Sequence, residues 1–270
     1  MNKAYVETTI LTNVLLKPGS GKEAVAKSAL SRYEETLLPV YSIKEFKAGP
    51  LDDYSYIHDK LVQTRSLANT LAAVNSLNPV TEARRRSTSV EALEAAARLD
   101  SAQPDIPRTS SPPDEEMADR YRLAIAALII LSWRKRRQVT TKTIQDLDCY
   151  TEAEPTIGEN GFFDLTPMKC AGDRPCCLWD ELTLDANRAL LRALRDSIPE
   201  NSTNYEHKNR RKVLKQLINT PKIPLERDQC CWLGDAVFAF FCPQDAEILT
   251  TNIRDHRPLA KAIGKRAVKT

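Results

Sequence analysis

The chain lacks a long hydrophobic run. Its longest apolar stretch, residues 123–131, falls short of the roughly 20 residues that a membrane span requires. The N-terminus is polar and passes straight into the apolar residues 4–6, so no signal peptide is expected. A soluble, cytoplasmic protein with no membrane partner is the expectation. A dominant charge is also missing: 39 Lys and Arg face 36 Asp and Glu, which removes any global basic field that would dictate a nucleic-acid partner. Seven cysteines, an odd number with two adjacent pairs, fit free thiols in a reducing compartment better than a disulfide framework. The spacing of Cys149, Cys170, Cys176 and Cys177 contains no Cys-x-x-Cys pair and weighs against structural zinc. Histidine is scarce. His58, His207 and His256 form no set with a nucleophile, and surface roles are expected for all three.

At 270 residues the chain can bury a full core, as one large domain or one domain with an insertion. Residues 4–6 and 36–41 read as short buried strands, each followed by an apolar helix. The run KPGSGK at 17–22 lacks the spacer and the hydroxyl of a phosphate loop and reads as a turn before a helix at 23–33. Ser42 is placed to cap a short helix at 43–48 that Gly49-Pro50 stops, and 53–77 reads as one long helix with Ile57, Leu61, Leu67, Leu71 and Val74 inward. Residues 78–180 differ in character: an Ala/Glu helix near 90–99, a Pro/Ser-rich linker, and a strong helix at 114–137 that is apolar nearly all round at 123–131 and hence buried. Helices follow at 183–198 and 205–218, and Asp228 is placed to cap a helix running through Asp235. Strands alternating with helices predict an α/β fold with a mainly parallel sheet. The pattern divides the chain into a domain of residues 1–77 and 181–270 and an insertion of residues 78–180. No internal repeat is evident.

Chemistry is concentrated at five positions. Asp235 sits in the apolar run 232–241, where a carboxylate is costly to desolvate without a cation or donors. Glu7 follows the first strand and Glu45 lies within a helical turn of the second, at strand carboxyl ends, where sites form in open α/β sheets. Asn252 and Asp255 follow a strand at 247–251. The bland alternatives are a solvated strand-end acid for Glu7 and a first-turn helix acid for Glu45. Together the five offer the oxygen donors that a hard divalent cation takes. Positive charge clusters at residues 84–86, 134–137, 208–215 and 261–269, and the outward face of 205–218, with Lys208, Arg210, Arg211 and Lys212, is the surface best suited to nucleic acid.

Three segments, YVETTIL at 5–11, LLPVYSIKEFKAG at 37–49 and GDAVFAFFCPQDAEILTTNIRDHRPL at 234–259, resemble the motifs of the PIN-domain nucleases and cover about a third of the chain. Position 7 carries Glu where that family usually has Asp, and position 252 carries Asn where many members have Asp. The resemblance implies a three-layer α/β/α sandwich, PIN-like, with a helix-rich insertion. It further implies Mg²⁺- or Mn²⁺-dependent phosphodiester hydrolysis, most often of RNA, by an endoribonuclease of the toxin or host-defence kind. Glu7, Glu45 and Asp235 would be core ligands, Asp255 an outer one, and Asn252 a neutral ligand or the group positioning a water. Thr8 and Thr250 would hydrogen-bond those acids or a phosphate. A DNA substrate, an antitoxin or other protein partner, a homo-oligomer, and a PIN-like module that has lost catalysis and only binds are the alternatives it leaves open.

Overall fold

The computed structural model describes residues 2–102, 113–147, 152–166, 178–223 and 225–270. The cysteines weighed for zinc, at 149, 170, 176 and 177, lie outside the described residues, as does most of the Pro/Ser-rich linker. Five strands form one parallel sheet: β1 (Lys3–Val6), β2 (Glu35–Pro39), β3 (Lys142–Ile144), β6 (Ala246–Thr250) and β7 (Arg266–Lys269). Their order is β3-β2-β1-β6-β7. The strands β4 (Thr156–Ile157) and β5 (Phe163–Asp164) make a separate antiparallel hairpin.

The strands are apolar on both faces because helices cover both. Tyr5, Leu37, Ile248 and Ala267 point into one core. That core is filled by α8 (Trp179–Leu182), α9 (Arg188–Asp196), α10 (Tyr205–Asn219), α11 (Arg227–Leu233), α12 (Asp235–Phe241) and α13 (Ile253–Ala262). Their sequence neighbours Ala4, Val6, Leu38 and Leu249 point the other way. There they meet α1 (Thr8–Leu16), α2 (Gly21–Leu30), α3 (Val40–Phe46), α4 (Asp52–Thr64), α5 (Leu67–Ser76), α6 (Ala83–Ser101) and α7 (Asp114–Lys135). The period-two alternation of strand side chains thus sorts one apolar run into two cores, which gives an α/β/α layering.

Several local expectations change. Gly49-Pro50 does not stop the helix. The π-helical turn Lys47–Leu51 absorbs the proline and joins α3 to α4, because a widened turn tolerates the missing N–H that would interrupt an α ladder. The long helix 53–77 instead breaks at Arg65, which adopts φ 48° and ends α4, and Leu71 is left exposed. Ser42 is not a cap: Pro39 precedes the helix, and the Ser42 hydroxyl donates to Val6 O at 3.0 Å, tying α3 to β1. Helix α7 buries one face, with Ile125, Ile129 and Trp133 packed against α4 and α6, while Leu123 and Leu131 stay exposed. Strand β3, from within 78–180, pairs with β2 and forms an edge of the central sheet. Glu226, not Asp228, caps α11, in a reciprocal box with Gln229. Cys230 is disulfide-bonded, which departs from the expectation of free thiols; Cys231 and Cys242 are free.

Candidate functional site

The sheet changes direction of growth at β1: one crossover leads to β2 on one side, a later one to β6 on the other. At such a point the carboxyl ends of the strands offer room for a site. The cleft that Glu7 lines there is completed by residues of α1, of the segment from α3 to α4 and of α6, and not by those that follow β6. Glu7 is the first residue past β1 and the N-cap of α1. Its carboxylate accepts from Thr9 N at 3.2 Å, from the Thr9 hydroxyl, and from Thr250 Oγ1 at 3.1 Å. Even so, burial and the neighbouring Glu45 carboxylate push its pKa up to about 7. Three donors and a helix N-terminus do not offset the desolvation of this charge.

Glu45 enters from α3. Thr8 Oγ1 donates to its Oε2 at 2.6 Å, and the Tyr41 hydroxyl donates to the same carboxyl group. Burial again raises its pKa; the Asp235 charge adds to the rise and Arg210 opposes it. Glu7, Thr8 and Glu45 share one cleft of about 420 Å³, whose walls also carry Lys17, Asp53 and Arg84.

The other predicted residues are placed differently. Asp235 begins α12 instead of lying inside a helix, because Gly234 breaks the chain there with φ 40° and ψ −116°. Its Oδ2 lies 3.0 Å from Arg210 Nη2 and its Oδ1 lies 3.7 Å from His256 Nε2. The lining of the Glu7–Glu45 cleft does not include Asp235, although Glu45 feels its charge. Asn252 and Asp255 sit past β6 and bond to each other, Nδ2 to Oδ2 at 2.7 Å, also outside the cleft lining. Thr250 reaches Glu7 and Thr8 reaches Glu45, as hydrogen-bond donors to acids.

On α10 the basic face is not uniform. Lys208 and Lys212 are exposed, whereas Arg210 is buried against Asp235 and Trp232 O. Arg211 donates to the main-chain oxygens of Arg195 and Ile198 and pairs with Glu200, which commits it to holding α10 against α9. The reading of Arg210 as an outward, substrate-facing residue therefore fails, since an amphipathic helix boundary assigned by charge overlooks a cation that a buried acid draws in. Surface roles for the histidines fail likewise at two of three positions. His58 and His256 are buried, and His256 stacks edge-on against Phe238 with its pKa lowered by burial.

Two acids went unread in the sequence. Asp146 follows β3 as Glu7 follows β1, accepts from Tyr41 N at 3.0 Å and Tyr5 OH at 3.2 Å, and is raised by burial to about 6. Asp53 lines the cleft and pairs with Arg84 and Arg85. The signal for Asp146 was the strand-then-acid pattern TIQD; Asp53 carried none beyond first-turn acidity.

Compared with protein-family models, curated proteins and solved structures, the chain matches none.

Among the described residues no three His, Cys, Asp or Glu side chains come close enough to enclose an ion. The cleft does bring the carboxylates of Glu7 and Glu45 beside the hydroxyls of Thr8 and Thr9, with Asp53 and Glu91 also in its lining, and such oxygen donors suit a hard cation. Gly234 governs the remaining acid. An added Cβ there would meet Arg210 Nη2 at 3.4 Å in a backbone conformation open to glycine alone. Gly234→Ala is expected to cost about 1–3 kcal/mol of stability in urea denaturation; an unchanged midpoint would show that this turn relaxes freely.

Proposed function

We propose that the chain is a PIN-like, Mg²⁺- or Mn²⁺-dependent endonuclease acting on RNA. The observation that carries this reading is the meeting of Glu7, buried just past the end of β1, and Glu45, half-buried on the helix that follows β2, in one cleft of about 420 Å³. Each is held by hydroxyl donors, Glu7 by Thr9 and Thr250 and Glu45 by Thr8 and Tyr41. In this reading Glu7 and Glu45 hold the ion, and a divalent cation there supplies Lewis acidity toward a phosphodiester. Without the ion Glu7, its pKa raised to about 7, is partly protonated in the physiological range, and uptake of the ion would displace that proton. Thr9 and Thr250 orient its carboxylate, and Tyr41 with Thr8 orients Glu45.

One observation favours a second reading, a PIN-like module that binds partners without cleaving. The Arg210 guanidinium neutralises Asp235 from within the fold, and its charge stabilises ionised Glu45 as an ion would. Manganese uptake followed by calorimetry, beside cleavage of a labelled single-stranded RNA, separates the two. Glu45→Gln is expected to lower the cleavage rate by about 10³-fold, the several kcal/mol that metal-assisted charge stabilisation supplies. No uptake at millimolar Mn²⁺, or equal cleavage by wild type and variant, would sink the nuclease reading and leave the binding module.

A further inference from the structure

We infer that the groove between α13 and β7 is a docking track for the phosphodiester backbone of a single-stranded nucleic acid, leading to the Glu7–Glu45 cleft. The groove has a volume of about 360 Å³, and Arg257, Lys261, Lys265, Arg266 and Lys269 make up most of its lining, which contains no acid. Two of these cations are committed. Arg266 pairs with Glu247 at 2.6 Å, and Lys265 Nζ donates to Ala239 O and Phe240 O at the end of α12. Arg257, Lys261 and Lys269 are exposed and make no ion pair with a described residue. Strand β7 is an edge of the sheet among the described residues, and none of their strands covers the groove.

The sheet register gives the groove its direction. Val6 pairs with Leu249 and Thr250 with Lys269, so Glu7, Thr250 and Lys269 lie side by side at the carboxyl edge of the sheet. Two strand spacings place the Lys269 backbone about 10 Å from that of Glu7. Arg257 and Lys261 follow along α13, one helical turn or about 6 Å apart. A row of cations at such intervals, the last of them two strands from Glu7, matches a polyanion threaded along it toward that acid. A membrane surface site would add exposed apolar side chains; here Ala267 is buried and Val268 half-buried. This rests on the nuclease reading for where the strand leads, and the binding itself can be tested without it.

The test uses the full chain, a short fluorescein-labelled single-stranded RNA and EDTA, with affinity read by anisotropy at several salt concentrations. The triple variant Arg257→Glu, Lys261→Glu, Lys269→Glu is compared with wild type, with the neutral triple Arg257→Gln, Lys261→Gln, Lys269→Gln, and with Lys208→Glu, Lys212→Glu. Loss of three phosphate contacts should flatten the plot of log affinity against log salt by about 2, so that between 50 and 200 mM salt wild type loses about 20-fold more affinity than the neutral triple. Wild-type affinity and slope in both triples would overturn the track, as would loss confined to the α10 variant. Binding of phosphatidylserine–phosphatidylcholine vesicles or polyglutamate in place of RNA would overturn it too. Weak RNA binding by the triples in a protein that never cleaves would uphold the track and reject the nuclease. Cleavage by wild type with undiminished binding by the triples would do the reverse.

Discussion

Glu7→Gln is expected to raise the melting temperature by about 4–8 °C near pH 8, a gain of about 2 kcal/mol in a domain of this size, and to change it little near pH 5. The reason is the sign of the shift. Glu7 titrates near 4.5 when unfolded and at about 7 in the fold, so the folded state binds the proton more tightly. Its contribution is fully present below about 4.5 and falls as pH climbs to about 7, above which the fold is less stable than at low pH by a constant amount of about 3 kcal/mol. Glutamine keeps an acceptor for Thr9 and Thr250 and brings no charge to desolvate. A cation bound in the cleft would work against the same cost. Millimolar Mn²⁺ is therefore expected to raise the wild-type melting temperature more at pH 8 than at pH 6, because uptake must displace the proton, and to leave Glu7→Gln nearly unmoved. Thermal melts at the three pH values check both parts. A variant no more stable than wild type near pH 8 would show that the two carboxylates do not burden the fold.

The parts of this architecture that were legible in the sequence are those set by local pattern. Short apolar strands at residues 3–6 and 35–39, each followed by a helix, announce a parallel sheet, and an acid just past such a strand is visible as one. What stayed hidden depends on contacts between distant segments. Arg210 looks like one of several solvated cations until Asp235, 25 residues on, draws it inward. His256 is buried because Phe238 packs on it, which no spacing reveals. Strand β3 is three residues long and polar at its start, below what alternation can detect, and Asp146 was lost with it. The π turn at Lys47–Leu51 runs against the usual meaning of Gly-Pro, and the sequence carries no mark of it. Placement of the acids at strand ends was readable; which of them converge was not, since convergence is set by helix packing on both faces.

Asp235→Ala is expected to cost about 3 kcal/mol or more in urea denaturation, because it leaves a buried guanidinium without its carboxylate. The Arg210 side chain is 6% exposed against 28% for Asp235, so the arginine, which cannot lose its charge, bears the larger part of that cost. A single substitution cannot separate this effect from loss of a metal ligand. Arg210, once released, has Glu45 as the next acid whose charge it already feels, and its approach there would compete with cation uptake. The double variant Asp235→Ala, Arg210→Met removes the stranded charge and replaces it with apolar volume of similar reach. The Asp235 oxygens face Arg210 and His256, so the double variant is expected to recover most of the lost stability and to keep Mn²⁺ uptake at Glu7 and Glu45. Recovery of stability without uptake would instead make Asp235 a ligand that exchanges Arg210 for the ion. Failure to recover stability would mean that the carboxylate supports α12 by some route other than this pair.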